Sequence, residues 1–145
     1  MLRGSCLCGS VRYEVTGPVT PVEFCHCPRC RKSTGAASAP AIAARRSDFR
    51  WLEGADRVRV YSAPLRETPP PYRRAFCEAC GSPVPLDDPQ AAVLELPAGA
   101  LDDDPGVQPL RHIFAEHAVP WFRFTDGLPR YPRHVPPAER LRRRL

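Results

Sequence analysis

Seven cysteines fall into three tight groups, and no other residues in the chain have types and spacing so suited to chemistry. They are the pair in Cys6-Leu7-Cys8-Gly9, the trio in Phe24-Cys25-His26-Cys27-Pro28-Arg29-Cys30-Arg31-Lys32, and the pair in Cys77-Glu78-Ala79-Cys80-Gly81. Joining the two pairs makes a four-thiolate set and leaves the trio to itself. Joining either pair to the trio gives five thiolates, one more than a tetrahedral metal accepts. Closed four-thiolate sites are structural, whereas three protein ligands leave a position for water or substrate. The count therefore predicts two zinc ions per chain. Cys6, Cys8, Cys77 and Cys80 hold a structural one, and Cys25, Cys27 and Cys30 hold an open one. Clustered soft thiolates favour zinc, with copper(I) and iron–sulfur as alternatives. A second closed zinc, with His26 or another histidine as fourth ligand, is the alternative for the trio. Disulfides fit less well, because the count is odd and Cys-x-Cys and Cys-x-x-Cys spacings suit a metal.

A chain of 145 residues predicts one domain with a core, to which bound metal adds stability. No apolar run approaches the roughly 20 residues that cross a bilayer, and Met1 to Ser5 is too polar for a secretion signal. A soluble, reducing, cytoplasmic setting is expected, where thiols stay free to bind metal. The net charge of +5 resides wholly in residues 130–145, which carry six Arg and one Glu. Two zinc ions on seven thiolates would lower the total to about +2. Residues 1–129 are expected to form the domain and 130–145 a basic, solvated tail. Nucleic acid is not the expected partner, despite Arg140, Arg142, Arg143 and Arg144.

Nineteen prolines argue against long helices. Val11, Tyr13 and Val15 alternate with Arg12 and Glu14, which predicts a half-buried strand closed by Gly17-Pro18. Val22 to Phe24 predicts a second strand that delivers the chain to Cys25. Pro28 suits the first position of a short helical turn over Pro28 to Lys32, ended by Ser33-Thr34-Gly35. Ala36 to Ala43 is a candidate strand beside the cysteines. Phe49 to Glu53 and Arg57 to Tyr61 flank Gly54-Ala55-Asp56 and predict a hairpin. Thr68 to Pro71 reads as a rigid loop, Tyr72 to Phe76 as the lead-in to Cys77, and Ala91 to Leu96 and Arg111 to Phe114 as further strands. The fold class is mostly β, with small sheets assembled around metal and few helical turns. Joining Cys6/Cys8 to Cys77/Cys80 ties an early hairpin to a late one.

These stretches resemble the family of glutathione-dependent formaldehyde-activating enzymes, which shares its domain with centromere protein V. The likeness runs through Gly4-Ser5-Cys6-Leu7-Cys8-Gly9-Ser10-Val11-Arg12-Tyr13, Cys25 to Gly35, Phe76-Cys77-Glu78-Ala79-Cys80-Gly81-Ser82-Pro83, Gly99 to Asp103, Pro109 to Phe114 and Pro120-Trp121. It implies a β-rich, Mss4-like (β-tent) fold built around zinc, and the same division of cysteines that counting gives. It also implies a carbon–sulfur lyase that joins glutathione to formaldehyde as S-hydroxymethylglutathione. The implied partners are a small thiol and a small aldehyde, with no membrane; the oligomeric state stays open.

An open three-thiolate zinc suits that reaction. A thiol near pKa 8.5 is mostly protonated at neutral pH, and zinc coordination deprotonates it. Zinc could instead polarise the aldehyde oxygen, although three anionic ligands weaken it as a Lewis acid. His26, between two ligands, is expected to point away from the shared metal. His112 is a candidate for hydrogen bonding behind the site, in a buried structural role or in proton transfer. Arg29, Arg31 and Lys32 offset thiolate charge, hold a substrate carboxylate, or sit on a solvated face. Asp102 to Asp104 reads as a solvated turn, and Trp121, Phe122 and Phe124 as core. A non-catalytic, zinc-stabilised interaction module is the other reading of the same residues.

Overall fold

Short strands bounded by Gly, Pro and Asp leave little room for anything but small sheets, and three of them form. The computed structural model describes residues 1–64 and 71–136. Strands β1 (Leu2–Ser5), β2 (Arg12–Val15) and β5 (Phe49–Glu53) make an antiparallel sheet in the order β1-β2-β5. A four-stranded sheet has the order β8-β4-β3-β9, from β3 (Val22–Cys25), β4 (Ala39–Arg45), β8 (Val93–Pro97) and β9 (Pro109–Ile113). Its β3–β9 pair is parallel. Strands β6 (Val58–Ser62) and β7 (Arg73–Cys77) form a two-stranded ribbon. The α-helix among the described residues, α1, spans Pro28–Thr34. The fold is mostly β with small sheets, as the composition indicates.

The first two sheets face each other over Leu2, Tyr13, Val15, Ile42, Ala44, Leu94 and Leu96, with Phe49 and Trp51 packed alongside. Tyr13, Phe49 and Trp51 contact one another, with Phe49 and Trp51 edge to face at 4.9 Å, a favoured aromatic geometry. A second, smaller cluster of Cys6, Val11, Ala75, Cys77 and Val84 lies between the β1–β2 hairpin and β7. Two of its five members are cysteines, so this end of the molecule has little apolar surface to bury.

Several elements depart from the sequence expectation for identifiable reasons. Strand β1 lies in a stretch whose polarity hides it. It pairs with β2 from Leu2↔Val15 to Ser5↔Arg12, and Arg3 and Ser5 are held by Asp103 and Asp102. The expected solvated aspartate turn is thus partly engaged with β1. Glu14, expected to face solvent, is buried and ion-paired with Arg50, its register partner on β5. Helix α1 runs two residues further than expected, to Thr34, and Gly35 closes it in the left-handed region at φ 69°.

The expected hairpin between 49–53 and 57–61 does not form. Both segments are strands, but β5 pairs with β2 and β6 with β7. Gly54 sits at φ 70° and leads into a 3₁₀ turn over Ala55–Arg57, so the chain leaves one sheet for another. The Gly54 backbone lies so close to Ser10 that a Cβ there would be 1.9 Å from its carbonyl oxygen.

Buried charge also holds the sheets. Arg111 of β9 donates to Glu23 of β3 at 2.6 Å, both largely buried, with Tyr131 beneath the guanidinium. Residues beyond 129 continue along β9. The Tyr131 amide donates to the His112 carbonyl at 2.9 Å, the Phe114 amide to that of Arg133 at 3.1 Å, and Val135 is buried. Residues 68–70 of the expected Thr68–Pro71 loop, and the tail arginines from Arg140 onward, lie outside the described residues.

Gly54→Ala should destabilise the protein by more than about 2 kcal/mol, combining left-handed strain with a backbone clash. Chemical denaturation measures this, and a loss below about 0.5 kcal/mol would contradict the close approach.

Candidate metal centres

Two loops of the same design carry the first group of cysteines. In one, the Gly9 amide donates to the Cys6 carbonyl at 2.9 Å, and in the other the Gly81 amide donates to the Cys77 carbonyl at 2.8 Å. Both glycines have positive φ, which lets each loop fold back over its own cysteines. The Leu7 amide donates to Ser82 Oγ at 3.1 Å and stitches the loops together. Cys6, Cys8, Cys77 and Cys80 are thereby gathered with their sulfurs all within 4.8 Å of one another.

The spacing fits a tetrahedral ion. Ligand sulfurs about 2.3 Å from a central metal stand roughly 3.8 Å apart. Cys6 and Cys8 are 3.5 Å apart and Cys8 and Cys77 3.9 Å, far beyond a disulfide, and all seven cysteines are free. The surroundings favour the thiolate at Cys6 and Cys80, while contact with Cys6 helps push Cys8 up. The Ser82 hydroxyl and amide bring Cys80 down to about 6. At Cys6 burial pushes the thiol up, but the Val11 amide, Cys8 and Ser10 outweigh it and the net shift is down. Ser10 Oγ lies 3.1 Å from Cys8 Sγ, well placed to donate to it.

The second group spans the junction of β3 and α1. Cys25 ends β3, opposite Ala39 of β4 and Ile113 of β9. Cys27 is the N-cap of α1, its sulfur accepting from the Cys30 amide at 3.3 Å, with Pro28 opening the helix. Cys30 follows in the first turn. The three sulfurs also lie within 4.8 Å of one another, and among the described residues no histidine, aspartate or glutamate atom joins them.

Without a cation these three thiols cannot all ionise. Cys25 and Cys30 both donate towards Cys27, which is held far below the ordinary thiol range, helped by the Cys30 and Arg29 amides. The same contact with Cys27 pushes Cys25 up to about 12, and Cys25 and Cys27 push Cys30 up as well. One thiolate shared by two thiols is the metal-free compromise. A divalent ion removes the conflict, so the donor set fits a thiolate-seeking metal.

His26 is turned inward and fully buried, away from a ligand role. Its Nε2 is 2.8 Å from His112 Nδ1, and His112 Nε2 is 2.8 Å from Asp126 Oδ2. Buried His26 Nδ1 lacks a well-formed hydrogen bond, although the Ala37 backbone acts on the ring as an acceptor. Burial, then His112, hold His26 below its ordinary pKa. A carboxylate at the end of the chain makes His112 Nε2 the donor, so its Nδ1 accepts from His26 Nε2–H. His112 therefore reaches the trio only through His26, the residue between two of its cysteines.

Phe24, Phe122 and Phe124 pack around this pair of rings. Trp121, expected in the core beside them, is 72% exposed. It lies outside the strands, where no packed sheet face is available to cover it. Asp126 went unnoticed in the sequence; its only signal there is the turn-forming Asp126-Gly127 pair. Arg31 Nε donates to the His26 carbonyl at 3.1 Å and Arg29 to the Pro64 carbonyl at 3.0 Å. Both cations therefore fasten backbone around the trio.

The family of glutathione-dependent formaldehyde-activating enzymes matches residues 1–117. The chain belongs to that family. A relative from Halomonas elongata, provisionally named a glutathione-dependent formaldehyde-activating enzyme, is 33% identical over 124 residues, covering 83% of this chain and 79% of the relative. A crystal structure of a Rhodobacter sphaeroides protein superimposes with a TM-score of 0.52 at 24% identity, over 74% of this chain and 97% of that one. That likeness concerns the fold.

The two cysteine groups should behave differently when broken. Cys27→Ser should leave a folded chain that takes up one equivalent of Zn²⁺ rather than two. Cys80→Ser should give mostly insoluble protein, because that ligand closes the long loop. Metal analysis with circular dichroism reads both, and equal folding of the two variants would overturn the partition.

Proposed function

We propose that this chain is a zinc-dependent carbon–sulfur lyase or synthase, adding a thiol such as glutathione to formaldehyde or a related small aldehyde at the Cys25/Cys27/Cys30 centre. One observation carries the reading: three thiols converge within 4.8 Å with no fourth protein ligand among the described residues. On this reading Cys6, Cys8, Cys77 and Cys80 hold a structural zinc. Zinc held by the trio would supply a site where a substrate sulfur is a thiolate at neutral pH.

The chain's own residues provide the rest. Cys27 is fixed at the head of α1 by the Cys30 amide, so the trio is set before substrate arrives. Phe24, Phe122 and Phe124 keep water from the His26 side, and the Asp126–His112–His26 chain holds the Cys25–Cys27 backbone in place. Arg29, Arg31 and Lys32 lie on a helix with no acid in its first turn, and they offset anionic charge at the trio. In the reaction a C–S bond forms, the aldehyde C=O π bond breaks, and the thiol's proton ends on the aldehyde oxygen. The reverse cleaves the adduct. Catalysis is mainly proximity, since two small molecules must meet in one orientation. Free thiols at both centres favour a reducing compartment such as the cytoplasm.

NMR exchange spectroscopy of glutathione with formaldehyde tests this directly. The wild-type protein should speed adduct exchange at least about tenfold, and Cys27→Ser should abolish the effect while leaving the fold. Unaltered exchange across a panel of thiols and aldehydes would overturn the enzymatic reading and favour an interaction module.

A further inference from the structure

Most of the arginines on the described strands and turns have a carboxylate partner. Arg3, Arg46, Arg50, Arg59, Arg73, Arg111 and Arg133 are each paired with an aspartate or glutamate. Arg74 is different. Strand alternation sends Arg73 to one face of β7, where it meets Asp88, and sends Arg74 to the other. There Arg74 is half-buried, and among the described residues no carboxylate meets it. Its partner is a hydroxyl: Nη1 donates to Ser33 Oγ at 3.0 Å.

Ser33 is itself fully committed. Its hydroxyl donates to the Cys30 carbonyl at 3.0 Å, so its oxygen accepts both from Arg74 and from the Tyr72 hydroxyl, 2.8 Å away. The guanidinium is thus held by the Ser33 and Tyr72 hydroxyls, and its remaining N–H groups can meet a carboxylate. Its position matters. Cys30 and Ser33 stand at i and i+3 on α1, side by side about 5–6 Å apart at their β-carbons.

We propose that Arg74, braced by Ser33 and Tyr72, is a carboxylate-binding site alongside the cysteine trio, and that it selects thiol substrates carrying a carboxylate a few bonds from the sulfur. The second half rests on the enzymatic reading above; the first does not. A substrate held at both points has its sulfur over the trio and its acid on β7. An uncharged thiol of the same length lacks the second hold.

The test uses the full, zinc-loaded chain and two readouts. In the first, sodium propionate, which has no thiol, is titrated while the Arg74 Nε–H resonance is followed by NMR; a saturable shift is expected. In the second, binding of 3-mercaptopropionate is compared with that of 3-mercaptopropanol. The wild type should prefer the acid by roughly tenfold, Arg74→Gln should reduce the preference below about twofold, and Arg74→Lys should restore part of it. Propionate binding at Arg74 as tightly as 3-mercaptopropionate would keep the carboxylate site and sink the enzymatic reading. An Arg74 resonance unmoved by propionate, or a preference that survives Arg74→Gln, would overturn the proposal.

Discussion

Thiolates crowded within 4.8 Å of one another repel, and a cation between them turns that repulsion into attachment. On the proposed reading, the small end of this molecule depends on the exchange. Its apolar cluster has five buried members, two of them cysteines, and the chain must bring residues 69 positions apart into contact. Closing a flexible loop of that length costs about 4 kcal/mol. Structural zinc bound by thiolates contributes on the order of 10–16 kcal/mol, so metal binding exceeds the closure cost with a wide margin. The core between the two larger sheets has no such need, since Tyr13, Ile42 and Leu96 are fully buried there without cysteine.

The two cysteine groups differ in what else holds them. Cys6/Cys8 and Cys77/Cys80 lie on separate loops joined by the small apolar cluster, the Leu7–Ser82 bond and the sulfurs themselves. The trio is local, six residues from end to end, on a strand paired on both sides and a helix capped at both ends. Local structure therefore does most of the positioning of the trio, as the proposed substrate-exchanging centre requires. The Asp126–His112–His26 chain reinforces it from inside, and Arg29 and Arg31 fasten neighbouring backbone from outside.

Much of this was legible in the residues because it is local. The cysteine spacings, the alternation at 11–15, the Pro28 helix start and the Gly35 stop each depend on a few adjacent positions. What was hidden depends on distant partners. Strand β1 is polar on its own and becomes a strand through β2, Asp102 and Asp103. The segments around Gly54 read as a hairpin because their alternation and the intervening Gly-Ala-Asp are hairpin-like; the approach of Ser10 to Gly54 sends them to different sheets. Asp126 carries only the turn-forming Gly127 beside it as a local mark, and Arg74 carries none. Each gains its meaning from residues 14 and 41 positions away. Trp121 misled in the opposite sense, since a large ring predicts burial and the fold gives this one no surface to pack against.

One ion enclosed by four sulfurs beside another held by three is a statement about coordination, and zinc K-edge X-ray absorption measures coordination. The fully loaded chain should show about 3.5 sulfurs per zinc at about 2.3 Å, with the remainder a light oxygen or nitrogen atom that a bound thiol replaces by sulfur. Four sulfurs per zinc in the absence of added thiol, or an imidazole signature that persists when thiol is added, would contradict an open three-cysteine centre.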